Sequence, residues 1–274
     1  MRISLRDVDG HKLRVGIRPG DRTRPPLLLF NGIGANIELV QPFLDAFEGP
    51  EAIVFDVPGV GGSPAPRLPY RPSTLARLSA RLLDQLGHDA VDVLGVSWGG
   101  ALAQQFAFQQ GTRCRRLVLA ATSTGSLMIP GSPRVLRHLS SPRRHHDPAH
   151  AARIAGTIYG GALRDHPELA EPITLATPKP VSRRGYLYQL AAGAGWTSLP
   201  VLRLIRQPTL ILAGDDDPII PLANGRLMAA LLPDARLHVY PDGHLGLLTR
   251  ATELAPVVSD FLLAVERGAQ RAVQ

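Results

Sequence analysis

The chain of 274 residues is long enough for one large domain with a sizeable hydrophobic core. Its net charge of +7 comes mostly from arginine, and because no nucleic-acid-binding motif accompanies this charge, we do not expect binding to nucleic acid. The N-terminus is charged, no apolar run approaches the roughly 18 residues of a membrane span, and there is one cysteine, Cys114. These features predict a cytoplasmic protein without a transmembrane segment or a disulfide, and they leave the oligomeric state open.

Along the chain, short apolar runs alternate with segments of helical periodicity, which predicts a mostly parallel central sheet wrapped by helices. The first two runs, at residues 3–8 and 13–17, are predicted to form a hairpin. Further strands are predicted at residues 27–30, 52–55, 91–96, 117–121, 209–213 and 236–240. Helices are predicted at residues 37–47, 74–86, 101–110 and 252–265, and near residues 223–232.

The alternation fails between about residues 123 and 205, where prolines separate short helical pieces. We therefore predict a helical cap at residues 123–205, inserted into a core made of residues 1–122 and 206–274. Apolar and aromatic residues of the cap are predicted to line a substrate pocket. They are Leu127, Met128, Ile129, Tyr159 and Trp196. The alternative is that the aromatic side chains only pack the cap onto the core.

The pentapeptide Gly95-Val96-Ser97-Trp98-Gly99 lies between a predicted strand and a predicted helix. This G-x-S-x-G pattern is typical of a nucleophile elbow, a sharp turn that holds a serine hydroxyl clear of the backbone. Glycines flank such a turn because a side chain would clash there. The order of strand, elbow and helix makes Ser97 the predicted nucleophile.

A nucleophilic serine needs an imidazole to take its proton, and the imidazole needs a carboxylate to hold its tautomer. After a nucleophile elbow these groups follow in the order serine, acid, histidine. Only His238 and His244 follow the acidic residues at 215–217. His238 lies within a predicted strand, so His244, in the loop after that strand, is the predicted base.

Three adjacent carboxylates, Asp215, Asp216 and Asp217, come directly after a predicted strand. Such a run is usually a solvated turn, but its position between the elbow and the candidate base favours a function. Asp217 is the predicted acid because Pro218 restricts its backbone to extended geometry, and Asp216 is the alternative.

Acyl transfer also needs hydrogen-bond donors for the oxyanion of the tetrahedral intermediate. The backbone amide of Trp98 is one predicted donor, and the amide of Ile33, in the glycine-containing loop at residues 31–34, is the other. No metal site is predicted, because Pro148 interrupts the helical spacing of the histidines in the Arg- and His-rich tract at residues 143–150.

Several stretches of the chain resemble the intracellular medium-chain-length polyhydroxyalkanoate depolymerases. They are LLLFNGIGANIELVQPF, FDVPGVGGSPAPRLPYR, VLGVSWGGALAQQFA, TIYGG, GWTSLP, PTLILAGDDDPIIPL and DGHLGLLTRA. The resemblance implies an α/β-hydrolase fold with a catalytic triad of Ser97, Asp217 and His244. It also implies hydrolysis of stored polyesters of 3-hydroxy fatty acids at a granule surface, without a metal or an organic cofactor.

From the residues alone, the chain is predicted to be a serine hydrolase of an apolar acyl ester, and the polyester comes from the resemblance. A small-molecule carboxylesterase or a carbon–carbon bond hydrolase with the same triad is the alternative enzyme. A catalytically silent binding protein of the same fold is a further alternative, which a complete triad disfavours. A dehalogenase or epoxide hydrolase would carry aspartate at position 97, and a polyester synthase would carry cysteine there.

Overall fold

The computed structural model describes residues 1–140, 148–169 and 182–264 of the chain. The strands are β1 Arg2–Val8, β2 His11–Arg18, β3 Leu27–Phe30, β4 Ala52–Phe55, β5 Val91–Val96, β6 Cys114–Ala120, β7 Thr209–Gly214 and β8 Ala235–Tyr240. Within the described residues they form one sheet in the order β1-β2-β4-β3-β5-β6-β7-β8. β2 pairs antiparallel with β1 and β4, and all other pairs are parallel. The predicted mostly parallel sheet is confirmed.

Helices flank the sheet and fill the insertion. They are α1 Gln41–Ala46, α2 Pro72–Leu86, α3 Trp98–Gln109, α4 Pro133–Ser140, α5 Pro148–Tyr159, α6 Ala162–Asp165, α7 Arg183–Gly193, α8 Leu222–Leu231, α9 Gly246–Thr249 and α10 Ala251–Leu263. α3 begins three residues earlier than predicted, because the backbone of Ser97, with φ of +53°, turns the strand directly into the helix. The predicted end of the last helix, residue 265, lies outside the described residues.

Both faces of the central strands are buried, as is usual for parallel sheets. Leu28 and Phe30 of β3 pack in one core with α2 and α3. Leu27 and Leu29, which point to the opposite face, pack in a second core with α1 and α10. Because the strands from β3 to β8 are parallel, the loops after β3, β5, β7 and β8 meet at one edge of the sheet. The predicted site residues of the core lie in these loops.

Between β6 and β7, the described residues form helices and turns, with one isolated bridge between Gly125 and Thr197. We call the helices α4 to α7 the inserted helices. They lie where the cap is predicted, and the bounds of a cap at residues 123–205 stay a prediction. Residues 143–147 of the predicted Arg- and His-rich tract lie outside the described residues, and α5 begins within its remainder.

Asp56, at the end of β4, holds together the loops beneath the site. Its carboxylate accepts hydrogen bonds from the amides of Ile37 and Gly62, each at 2.8 Å, and pairs with Arg14 at 3.3 Å. Burial raises the pKa of this carboxyl in spite of the three donors. Asp56 therefore supports the chain that follows the loop at residues 31–34.

Candidate active site

Ser97 stands at the sharp turn between β5 and α3. Its φ of +53° and ψ of −118° lie in a region that residues other than glycine rarely adopt. A Cβ atom on Gly95 would lie 2.4 Å from the carbonyl oxygen of Gly99, and one on Gly99 would lie 2.2 Å from that of Phe30. The two glycines therefore permit the turn, and the amide of Trp98, the first residue of α3, comes directly after the serine.

Three predicted residues form one hydrogen-bonded chain. His244 Nε2 lies 2.9 Å from Ser97 Oγ, and His244 Nδ1 lies 2.8 Å from Asp217 Oδ2. His244 is 6% exposed and Asp217 is 5% exposed, so water competes little for the bond between them. Because a carboxylate only accepts, Nδ1 carries the proton, and the lone pair of Nε2 faces the serine hydroxyl.

Of the two aspartates that the sequence leaves open, Asp217 is the one that contacts the imidazole. Its second oxygen, Oδ1, accepts hydrogen bonds from the amides of Ile219 and Ile220, each at 2.9 Å. These two donors hold the carboxylate in one orientation. The carboxylate of Asp216 instead accepts a hydrogen bond from the amide of Gly161 at 2.7 Å.

The turn at residues 159–161, between α5 and α6, packs against the loop that carries the imidazole. The carbonyl of Tyr159 accepts a hydrogen bond from the amide of His244 at 2.7 Å. Gly161 has φ of +53°, and a Cβ atom there would lie 1.8 Å from Asp242 Oδ1. Only glycine fits this position, and the inserted helices thereby hold the loop of His244.

Asp242 is a residue of the site that sequence reasoning missed. It is 2% exposed, and its carboxylate accepts from the amide of Ala162 at 2.8 Å and from the hydroxyl of Thr249 at 2.6 Å. The local signal, an aspartate beside a glycine in a loop, is equally typical of an ordinary turn. Burial, together with the charges of Asp217 and Asp242, raises the pKa of Tyr240 and keeps this phenol neutral.

The loop that carries the predicted oxyanion amide of Ile33 passes beside Ser97, and Trp98 follows Ser97 directly. The loop at residues 31–34 passes so close that a Cβ atom on Gly32 would lie 3.7 Å from the Cβ of Ser97. In the described part of the chain, the amides of Ile33 and Trp98 donate to no protein acceptor. Buried or partly buried amides normally have a partner, so both are available to a ligand.

Two of the side chains predicted for the substrate pocket are largely exposed. Leu127 is 59% exposed and Ile129 is 41% exposed. Between them, the sulfur of Met128 accepts a hydrogen bond from the hydroxyl of Ser123 at 3.4 Å. This segment follows β6 and lies at the start of the insertion.

The two predicted aromatic pocket residues lie at joints between the inserted helices and the core. Tyr159 and Leu245, the neighbour of the candidate base, pack against the same buried pair, Ala155 and Leu163. The indole of Trp196 donates to Gln105 Oε1 at 2.9 Å, and a Cβ atom on Gly125 would lie 2.6 Å from its ring. A common pocket for the five predicted side chains therefore stays a prediction.

No group of three metal-ligating side chains lies close enough together to hold a metal ion among the residues that the structure describes. In the same part of the chain, no helix is long and apolar enough to cross a membrane. Cys114 is buried at the start of β6, and burial raises the pKa of its thiol.

Comparison of the sequence and the fold with known proteins identifies several that are similar to this chain. The family model described as alpha/beta hydrolase fold matches residues 25–251. The poly(3-hydroxyalkanoate) depolymerase of Ectopseudomonas oleovorans is 54% identical over 97% of this chain and 93% of its own. The pimeloyl-[acyl-carrier protein] methyl ester esterase of Aromatoleum aromaticum is 32% identical over 87% and 98%, respectively. The crystal structure of a hydrolase from Pseudomonas aeruginosa PA01 has a TM-score of 0.77 and 28% identity, covering 96% of this chain and 98% of that one.

These similarities confirm the predicted fold class and the predicted ester-hydrolysing enzyme. They also confirm the resemblance to poly(3-hydroxyalkanoate) depolymerases, which extends over nearly the whole chain. The chain belongs to the α/β-hydrolase fold family.

Proposed function

We propose that the protein is a serine hydrolase that cleaves the ester bonds of medium-chain-length poly(3-hydroxyalkanoate) through an acyl-enzyme. The observation that carries this proposal is the hydrogen-bonded chain from Ser97 Oγ to His244, at 2.9 Å, and on to Asp217, at 2.8 Å. In it, Ser97 is the nucleophile and His244 is the general base and then the general acid. Asp217 holds the tautomer and stabilises the imidazolium.

The reaction begins when His244 Nε2 takes the hydroxyl proton of Ser97 and Oγ attacks the ester carbonyl carbon. The carbonyl oxygen becomes an oxyanion that accepts hydrogen bonds from the amides of Ile33 and Trp98. When the intermediate collapses, the ester bond breaks and the departing alkoxide receives the proton from His244. Water, deprotonated by the same imidazole, then attacks the acyl-enzyme and releases the acid with free Ser97.

Support for the polyester substrate comes from the 54% identical depolymerase, whose alignment covers 97% of this chain and so extends through the inserted helices. We assign residues 123–205 as a cap that walls the acyl pocket. Because such polyesters are stored as granules inside cells, the proposal implies a cytoplasmic protein that acts at a granule surface.

The second candidate is a small-molecule esterase with the same triad. It is favoured by the 32% identity to a methyl ester esterase over 87% of this chain. The two candidates differ in their preferred substrate rather than in chemistry. A medium-chain polyester emulsion, a short-chain emulsion and soluble p-nitrophenyl esters therefore separate them.

Ser97→Ala tests the chemistry, because it removes the nucleophile and very little volume. We expect the variant to fold like the wild type, to lose ester hydrolysis to the background rate, and to resist labelling by a fluorophosphonate probe. Hydrolysis well above background in a preparation free of wild-type protein would refute the role of Ser97. For the wild-type protein, hydrolysis of soluble esters without turnover of either emulsion would favour the second candidate.

Trp196→Ala tests the acyl pocket. Each buried methylene contributes about 0.8 kcal/mol, which is about fourfold in rate per added carbon. If Trp196 forms a pocket wall, the alanine variant should lose more activity on an octanoyl ester than on an acetyl ester. Trp196→Phe is the control, since it removes the hydrogen bond to Gln105 and keeps a smaller aromatic ring at the wall. Equal losses at every chain length would contradict a pocket role for Trp196.

A further inference from the structure

Gln189 is a buried polar residue on a helix that is otherwise near the surface. It is 1% exposed, whereas Leu187 and Leu190 on the same helix are 60% and 46% exposed. The buried residues of α7 are Gly185, Gln189 and Ala192, whose spacing of four and three residues defines one face of a helix. This face turns Gln189 toward the loops of the core.

Gln189 contacts both chain segments that carry the proposed oxyanion amides. Its side-chain Oε1 accepts a hydrogen bond from the amide of Gly34 at 2.8 Å. Its backbone carbonyl accepts a hydrogen bond from the indole Nε1 of Trp98 at 3.1 Å. One residue of the inserted helices thus connects the loop after β3 with the first residue of α3.

The hydrogen bond to Gly34 matters because of the local backbone. Gly34 has φ of +71°, and glycine rotates more freely than any other residue at such a position. The bond therefore sets the peptide plane between Ile33 and Gly34. The preceding plane, which carries the amide of Ile33, accepts a hydrogen bond at its Gly32 carbonyl from the amide of Ala35 at 3.2 Å, so it is held by the residue that follows Gly34. Oxyanion donors act within about 2.7–3.1 Å, and small rotations move them out of this range.

We propose that Gln189 is the positioning residue of the oxyanion hole. By holding Gly34 and Trp98 from one buried point, it keeps the amides of Ile33 and Trp98 directed at the same place beside Ser97. This inference rests on the proposed function, because it assumes that an oxyanion forms there. Gln189 touches neither the substrate nor the reacting atoms in this role, and it acts through the two segments that it holds.

The test compares Gln189→Met, which keeps the length of the side chain and removes the acceptor, with Gln104→Met. Gln104 is the control. It is also 1% exposed, and its side-chain amide connects α3 to Ser198 and Ser123, which flank the inserted helices, at 2.6 and 3.0 Å. Its side chain makes no hydrogen bond to the 31–34 loop or to Trp98 in the described structure. Both variants therefore lose one buried side-chain amide that connects the core to the chain between β6 and β7.

We expect Gln189→Met to lower kcat for a p-nitrophenyl ester by about ten- to a hundredfold with little change in KM, somewhat less than the loss of one oxyanion donor. The inhibition constant of a trifluoromethyl ketone should rise by the same factor, because its hemiketal oxyanion uses the same donors. Gln104→Met should lower the thermal midpoint at least as much as Gln189→Met does, because the Gln104 side chain makes three described hydrogen bonds, and it should change kcat and the inhibition constant less than about threefold.

Unchanged kcat and ketone affinity in Gln189→Met would overturn the proposal, and so would equal losses in both variants. If Gln189→Met does not fold, Trp98→Phe replaces it, since it keeps a ring and removes the donor to the Gln189 carbonyl. It should lower kcat and ketone affinity in parallel, and the absence of both effects would overturn the proposal. Activity of Ser97→Ala, by contrast, would refute the proposed function whatever Gln189 does.

Discussion

Replacement of Asp217 by asparagine tests the hydrogen-bonded chain at its least accessible point. Oδ1 of Asp217 accepts from the amides of Ile219 and Ile220, each at 2.9 Å, and Oδ2 lies 2.8 Å from His244 Nδ1. An asparagine can accept from the two amides only through its carbonyl oxygen, so its NH₂ group must face Nδ1. Nδ1 then becomes an acceptor and the proton moves to Nε2, which can no longer take the proton of Ser97.

The loss of the correct tautomer is expected to lower kcat by about 10⁴, the magnitude known for this change in a serine protease. That factor corresponds to about 5.5 kcal/mol of transition-state free energy. The fold should persist, because the asparagine still pairs with both amides and with the imidazole. The measurements are kcat on a soluble p-nitrophenyl ester, the rate of fluorophosphonate labelling, and the thermal midpoint of each variant.

Asp216→Asn is the neighbouring control. The side chain of Asp216 is 46% exposed and pairs with Arg164 at 2.9 Å, so its neutralisation should lower kcat less than about tenfold. Asp215→Asn should have an equally small effect. A large loss in Asp216→Asn with little loss in Asp217→Asn would move the acid by one position. A loss under about a hundredfold in folded Asp217→Asn would refute the tautomer argument.

Two further predictions concern backbone fit and pH. Gly161→Ala should lower both stability and kcat, because the added methyl would lie 1.8 Å from Asp242 Oδ1. The control is Gly87→Ala, which is also at positive φ but has no other side chain or backbone atom within 4 Å of the added methyl. It should cost only about 1–3 kcal/mol of stability and leave kcat unchanged. Equal kcat in the two variants would show that the clash is relieved without moving the site. Burial raises the pKa of Asp92 from 3.8 to about 6, so the folded state holds this proton more tightly and loses up to about 3 kcal/mol of stability as pH rises from about 4 to above 6. Urea unfolding across this pH range should show that the unfolding free energy of Asp92→Asn lacks this fall. A wild type that gains stability relative to Asp92→Asn as the pH rises would contradict the prediction.

The sequence predicts those parts of the site that depend on local geometry. The elbow is recognisable because the clashes that require glycine at position 95 involve residues of the helix that directly follows Ser97. The order of serine, acid and histidine follows from the order of parallel strands, which apolar periodicity reveals. The boundary of α3 was predicted three residues too late, because helix periodicity does not show how abruptly an elbow enters the helix.

The prediction of Asp217 rather than Asp216 rests on a single local feature, the proline that follows Asp217. Both follow the same strand and both precede Pro218 closely, and backbone restriction by proline favours Asp217 only weakly. What separates them in the structure is that Asp216 pairs with Gly161, 55 residues earlier in the chain. A contact of that range depends on how the inserted helices pack, which residue spacing does not encode.

Gln189 was missed for a related reason. A buried polar group needs a partner, but a sequence does not show which glutamine is buried or what it meets. The Gln189 side chain meets an amide 155 residues earlier in the chain, that of Gly34. Helix α7 also carries exposed leucines, so hydrophobic periodicity gives no sign that its polar residue faces inward.

The inserted helices make hydrogen bonds to the loops that carry the proposed catalytic groups. The carbonyl of Tyr159 holds the amide of His244, Gly161 donates to Asp216, and Gln189 accepts from the 31–34 loop and from Trp98. A shift of these helices would therefore change the position of the base and of the oxyanion donors together. Substitutions that alter acyl preference without loss of rate are accordingly expected at inserted side chains that make none of these four hydrogen bonds.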